Sequence, residues 1–243
     1  MENPNGPVLI LSISDRHMVG IGARSFVDDS ARVIAVEGEA VRVLTSVHQP
    51  SARLMIEIGD VRSSGSHEFH DGGIVVASPD GNVLYVIERA FAQTASSSEF
   101  RVSRFNGRGD RLWARSYRYQ PVKVSDYLVQ SIVDDKTWRI TQIPVMRSRV
   151  EEVRRAVTDA LPVPQFAPPV WSAVAANDGS LWLERAREPE GSRWLVLDRD
   201  GDVIGRAGLQ PGVKLSSVDG NKGCGIDLAG ADYPRVICYR IHR

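Results

Sequence analysis

The stretch Ile74-Val-Val-Ala-Ser-Pro-Asp-Gly-Asn-Val-Leu-Tyr-Val-Ile-Glu88 reads as two β-rich runs broken by Asp80-Gly81. Further along, Ser172-Ala-Val-Ala-Ala-Asn-Asp-Gly-Ser-Leu-Trp-Leu-Glu184 repeats it. Each is an apolar strand, an Asp-Gly turn, and a strand carrying Leu84-Tyr85 or Leu181-Trp182. A second hairpin follows each: Phe100-Arg-Val-Ser-Arg-Phe-Asn-Gly-Arg-Gly-Asp-Arg-Leu-Trp113, and Trp194-Leu-Val-Leu-Asp-Arg-Asp-Gly-Asp-Val-Ile204. Asp-Gly and Asn-Gly accept the positive φ of tight hairpin turns. Two hairpins in succession make a four-stranded antiparallel unit of about 40 residues, the rhythm of one propeller blade.

Outward from these units the strand signal continues. Runs at Val8–Ser14, Arg32–Val36, Ala40–Val47 and Arg53–Ile58 show period-2 or wholly apolar character. Two weaker units are expected over His17–Asp60 and Lys214–His242. The latter holds three strands, Leu215–Val218, Gly223–Leu228 and Arg235–Ile241, and Val8–Ser14 is expected to supply the fourth and close the ring, hiding two exposed edges. Between 124 and 162 the pattern turns helical. Ser125 is placed to cap a short helix through Asp134, and Ser148-Arg-Val-Glu151 reads as a capping box. Val150, Val153, Val157, Ala160 and Leu161 then form an apolar stripe, Glu151 and Arg155 an i,i+4 pair, and Pro162 with Pro164 a stop. The stripe is expected to lie over the face of the sheets.

The segments Pro168-Pro-Val-Trp171, Asn177-Asp-Gly-Ser-Leu-Trp-Leu-Glu-Arg185, Trp194–Gly201 and Arg235-Val-Ile-Cys-Tyr-Arg-Ile241 resemble bacterial six-bladed β-propeller proteins, uncharacterised relatives of NHL-type propellers. The resemblance covers roughly 73–113 and 168–243 and carries no functional residues with it. The fold class expected is all-β. It is a β-propeller of four-stranded antiparallel blades, four to six in number and open to being incomplete, within one domain over 1–243 and with a small helical insertion at 124–162. Without the insertion, about 200 residues remain, enough for four to five blades.

The chain has 243 residues, 30 basic and 30 acidic, with 42% hydrophobic and 25% charged residues, a globular composition. At this length it can bury roughly 70–75% of its unfolded surface. Zero net charge argues against nucleic acid or an anionic membrane as the main partner. Of the basic residues 26 are Arg, scattered along the chain. The first residues, Met1-Glu-Asn-Pro-Asn-Gly-Pro7, lack the positive charge of a signal peptide, and no apolar stretch is long enough to span a membrane. The chain as given is therefore expected to be soluble and cytoplasmic, or extracytoplasmic if it is an N-terminally truncated member of the group it resembles.

Seven features offer chemistry. His67-Glu-Phe-His70-Asp71 is the densest ligand cluster, with His67, His70 and Asp71 as weak metal candidates. It lacks the zinc-protease spacing and reads as an exposed loop. Asp198-Arg-Asp200-Gly-Asp202 lacks the remaining ligands of a calcium loop and reads as a hairpin turn. Arg108-Gly109-Asp110 falls in a turn, so an adhesion motif is not expected. Gly220-Asn-Lys-Gly-Cys-Gly225 has no strand–loop–helix context for a phosphate cradle, and Ser96-Ser-Ser98 has no nucleophile elbow around it. Trp113, Trp171, Trp182 and Trp194 recur at strand positions and read as core between units. A hairpin turning through Ala229–Pro234 sets Cys224 opposite Cys238, so a cross-strand disulfide is geometrically open, with two buried thiols as the alternative.

No catalytic residues and no cofactor are expected. The function expected is a non-enzymatic binding scaffold with a protein, peptide or glycan ligand on one rim. The alternatives are a propeller enzyme, a metal-assisted lactonase or lyase working in the central channel, and a fragment without autonomous function.

Overall fold

The computed structural model describes residues 9–13, 18–24, 29–37, 40–50, 53–227 and 235–241. Antiparallel sheets of two to four strands dominate. Strands β1 (Leu9–Ile13), β2 (Met18–Arg24), β3 (Ser30–Glu37) and β4 (Ala40–His48) form the first sheet in chain order. A two-stranded hairpin follows, β5 (Arg53–Ile58) and β6 (Val61–Ser66). The second four-stranded sheet holds β7 (Ile74–Ala77), β8 (Val83–Glu88), β9 (Ser98–Asn106) and β10 (Arg111–Tyr119). Two helices, α1 (Asp126–Thr141) and α2 (Val150–Ala160), are joined through a 3-10 turn at Pro144–Met146. A third four-stranded sheet follows: β11 (Ser172–Ala175), β12 (Leu181–Glu188), β13 (Gly191–Leu197) and β14 (Val203–Leu209). The last sheet has three described strands, β15 (Val213–Asp219), β16 (Lys222–Asp227) and β17 (Arg235–Arg240).

The two quoted repeats therefore fold as the two expected four-stranded units, with Ala77 opposite Leu84 and Ala175 opposite Leu181 across their first turns. The sheets stack on one another through both faces. Val33, Val47, Val75, Leu84 and Val86 fill the space between the first and second sheets. Tyr85, Ile87, Phe100, Val102, Leu181, Leu183 and Leu197 fill that between the second and third. Trp182, Trp194, Val196, Leu215 and Val218 fill that between the third and last. Each such fully buried side chain contributes about 1.5–3 kcal/mol of transfer free energy. The first strands of successive sheets touch, β1 with β7, β7 with β11, and β11 with β15.

One turn geometry recurs. In Ala176–Ser180 and Asp198–Asp202 the amide of the first residue donates to the carbonyl of the fifth, at 2.9 Å in both. Gly179 and Gly201 hold φ of +80 and +85, which glycine adopts at no steric cost. Side chains of the second sheet grip the turns of the third: the Tyr85 hydroxyl donates to Gly179 O (2.8 Å), Tyr117 to Gly201 O (2.6 Å) and Trp113 Nε1 to Arg199 O (2.9 Å). Of the four tryptophans singled out, three pack between sheets as expected, Trp113 only partly buried, and Trp171 does not. Trp113 packs between the second and third sheets, Trp182 and Trp194 between the third and last, and Trp171 beneath the helices.

Several expectations need correction. β1 pairs with β2 on the first sheet and, among the described residues, not with β17, because Met18–Arg24 supplies a partner close by in the chain. Val8, Ser14, His17, Leu228–Pro234 and His242 lie outside the described residues. The unit expected over His17–Asp60 is instead the first sheet followed by the β5–β6 hairpin. Ser125 does cap α1, accepting from Leu128 N at 3.3 Å, but the helix runs to Thr141. The Ser148 capping box does not form: Arg149 is the N-cap of α2, with no side-chain cap. In the α2 stripe Val153, Val157 and Leu161 are buried, whereas Val150 and Ala160 are exposed. No Glu151–Arg155 ion pair forms among the described residues; Arg154 reaches across to Asp134 of α1 instead. The helices close over the β5–β6 hairpin, with Leu54, Ile56, Ile58, Leu128, Ile132, Met146, Val153 and Val157 as one core.

Candidate functional site

Alternation of strands puts the short Asp-Gly turns at one end of the sheets and the long connections at the other. The loop over 67–73, Arg89, the segment entering β11 and the outer half of β12 meet at this second end. The loop is not exposed, contrary to expectation: His67 and Phe69 are 8% and 3% accessible. Phe69 inserts edge-on against Trp171, ring centroids 5.9 Å apart, which pulls its neighbours under cover. Gly73 ties the loop to the end of β4, its amide donating to His48 O at 2.8 Å and its carbonyl accepting from Gln49 Nε2 at 2.7 Å.

Arg89, directly after β8, is the buried centre of this cluster. Its Nε donates to Gly72 O (2.6 Å), one terminal nitrogen to Val170 O, and the other lies 3.3 Å from His70 Nδ1. Burial lowers the Arg89 pKa to about 10. Burial, with the Arg89 charge behind it, pushes His70 down to about 4. His67 is lowered as well, chiefly by burial. His70 is therefore neutral at physiological pH. A guanidinium facing His70 opposes a cation there, and among the described residues no three His, Cys, Asp or Glu side chains converge in metal-holding geometry.

Beside Arg89, Glu184 is 6% accessible and fully engaged. Ser172 Oγ donates to its Oε2 at 2.7 Å, and Arg187 donates to both oxygens at 2.9 and 3.0 Å. The Arg187 guanidinium lies 4.9 Å from the Trp171 ring centroid. From α1, Lys136 donates to Glu68 Oε1 at 3.0 Å. His67 Nδ1, Glu68 Oε2 and Thr137 Oγ1 are buried without a partner among the described residues. The arrangement can present the neutral His70 imidazole and held guanidinium groups to a polar ligand; Glu184 is bound to a cation and a hydroxyl, and Glu68 to Lys136 through one oxygen.

Of the sequence candidates, His67 and His70 belong to this cluster, with ring centroids 6.4 Å apart, and Asp71 acts on it through charge. Arg89, Glu184, Arg187 and Ser172 were not singled out by the sequence reading. The available signal was a charge at the end of an apolar run, in Val83–Arg89 and in Leu181–Glu184. The other candidates lie elsewhere. Asp198 Oδ1 accepts from Asp200 N and Asp202 N, and Asp202 pairs with Arg115, so this acidic triplet is a hairpin turn. Asp110 accepts from Asn106 Nδ2 at 2.9 Å within its turn. Gly220–Gly225 lies on the β15–β16 hairpin, and Ser98 opens β9. Cys224 and Cys238 face each other across β16 and β17, Cα atoms 4.1 Å apart, and are disulfide-bonded. A cleft of about 420 Å³ at the β12–β13 turn, lined by Glu188, Glu190, Arg193 and Gln210 among others, shares no residue with the cluster. No described helix is long and apolar enough to cross a membrane.

No family model matches the chain. No curated protein matches it. Among solved structures, a prolyl endopeptidase, from a structural and mechanistic analysis of two such enzymes, overlaps 97% of this chain and 32% of its own, at 11% identity and a TM-score of 0.35. Prolyl oligopeptidase B from Galerina marginata overlaps 93% of this chain and 30% of its own, at 8% identity and a TM-score of 0.31. A puromycin-hydrolyzing peptidase of Mycobacterium tuberculosis overlaps 94% and 38%, at 11% identity and a TM-score of 0.30. The chain thus spans about a third of the length of these structures.

Proposed function

We propose that the chain is a non-enzymatic binding scaffold, a β-propeller-like series of blades of the NHL-like kind, taking a protein, peptide or glycan ligand on the rim where the long loops gather. One observation carries the reading: Arg89, Arg187 and Glu184 of that rim are spent on holding it together. Arg89 fastens the 67–73 loop to Val170, and Arg187 with Ser172 neutralises Glu184. Such groups fix the shape of a surface and leave no activated nucleophile–base pair in the cluster. The successive contacts of β1, β7, β11 and β15 support a blade-like order. The Cys224–Cys238 bridge favours an oxidising compartment for the working protein.

Probing glycan arrays and a peptide display library with the full chain tests this reading. A saturable ligand whose hydrogen-exchange footprint falls on residues 67–73, 89–97 and 162–171 is expected. Conversion of the bound compound to products, followed by mass spectrometry, would replace the scaffold with an enzyme. A footprint on the Asp-Gly turns would overturn the choice of rim.

A further inference from the structure

Arg185 differs from Arg89 and Arg187. It is the extra residue of a bulge in β12: Glu184 pairs with Trp194 and Ala186 with Arg193, leaving Arg185 without a partner on β13. A bulge of this kind re-aims a side chain and recurs beside functional sites. Here it turns Arg185 onto the second sheet, its guanidinium carbon 4.5 Å from the Phe100 ring centroid and 5.1 Å from that of Tyr119. Stacking uses the face of the guanidinium and leaves its N–H edge, which finds no acceptor among the described residues. Arg89 and Arg187, by contrast, give their donors to carbonyls and a carboxylate.

Two further groups share this place. The Tyr119 hydroxyl is buried without a hydrogen-bond partner among the described residues, on a residue 8% accessible. Arg206 on β14 adds a second positive charge that acts on Arg185. A half-buried cation beside another cation, with an unsatisfied hydroxyl at hand, is costly until an anion completes it. We propose that Arg185, Tyr119 and Arg206 form a binding site for a carboxylate group between the second and third sheets. The planar carboxylate takes the two parallel N–H bonds of the Arg185 fork and a third bond from the Tyr119 hydroxyl. Arg206 supplies the field that draws it in. Burial lowers the Arg185 pKa to about 10, so the group stays cationic at neutral pH.

The site goes beyond the scaffold reading. It depends only on β9, β10, β12 and β14, so either idea can fail and leave the other standing.

The test is titration of the full chain with acetate, N-acetylglycine, N-acetylglycinamide and phosphate at constant ionic strength, followed at the Arg185 Nε–H by NMR. Acetate or N-acetylglycine should shift that resonance saturably, and N-acetylglycinamide should not. Tighter binding of N-acetylglycine than of acetate identifies a chain-terminal carboxylate as the source, and equal binding a simple acid; both support the site. Arg185→Lys keeps the charge and loses the fork, and should weaken acetate about tenfold. Tyr119→Phe should weaken it about fivefold with no loss in the urea unfolding midpoint, since the hydroxyl has no partner in the free protein. The proposal is overturned by the absence of saturation with both carboxylates, by phosphate binding in preference to them, or by unchanged affinity in Arg185→Lys and Tyr119→Phe.

Discussion

His70 sits against a guanidinium, and that contact sets its response to acid. In the unfolded chain it titrates near the ordinary 6.5; in the fold, burial first and Arg89 second hold it at about 4. Between these values the unfolded state binds the extra proton, so stability is complete above about pH 6.5 and falls as pH drops toward 4. His67 acts in the same direction. His70→Gln keeps a neutral acceptor near Arg89 and removes the titration. Urea midpoints measured from pH 7 to 4 should therefore decline less steeply in His70→Gln than in the wild type, and parallel declines would contradict the assignment. The ligand types in His67–Asp71 were legible in the sequence, but their burial was not. That burial depends on Phe69 finding Trp171, a partner a hundred residues away whose position no local pattern encodes. Arg185 was invisible for a related reason. Leu181, Leu183 and Arg185 continue a regular alternation, and only the pairing with β13 reveals the bulge.

Among the elements, the hairpins were the most legible, because Asp-Gly and Asn-Gly turns act within five residues and the strands beside them alternate cleanly. β2 was missed because Gly20 and Gly22 dilute the apolar pattern of Met18–Arg24. The helices fall within the expected 124–162, although α1 runs past Asp134 to Thr141, and the surface they cover was not legible. A stripe of Val153, Val157 and Leu161 says that a face is buried, not against what. The 3-10 turn between the helices sharpens this. Met146 is 1% accessible and its neighbour Val145 is 56% accessible. Met146→Ala should destabilise the protein by about 2–5 kcal/mol, and Val145→Ala by no more than about 0.5 kcal/mol. Equal urea midpoints for the two variants would mean that the helices do not close over the β5–β6 hairpin as described.

At the scale of the whole molecule, the three four-stranded sheets and the last sheet stack in chain order, and the last holds three described strands. Its described strands are tied by the Cys224–Cys238 bridge, 14 residues apart in sequence. Closing a loop of that length is worth about 3 kcal/mol to the folded state. Reduction should accordingly speed hydrogen exchange in Lys222–Asp227 and Arg235–Arg240, while β7–β14 stay protected. Uniform loosening of all sheets would show that the bridge supports the entire stack. The repeat of strand, Asp-Gly turn and strand was determined by the sequence alone, since turn chemistry and period-2 alternation are local properties. The facing of Cys224 and Cys238 was likewise available from hairpin register. What covers the helices, which edge β1 takes, and where the arginines of β12 point were decided by the tertiary structure. Each depends on contacts between residues far apart in the chain, and burial, not local propensity, selects among them.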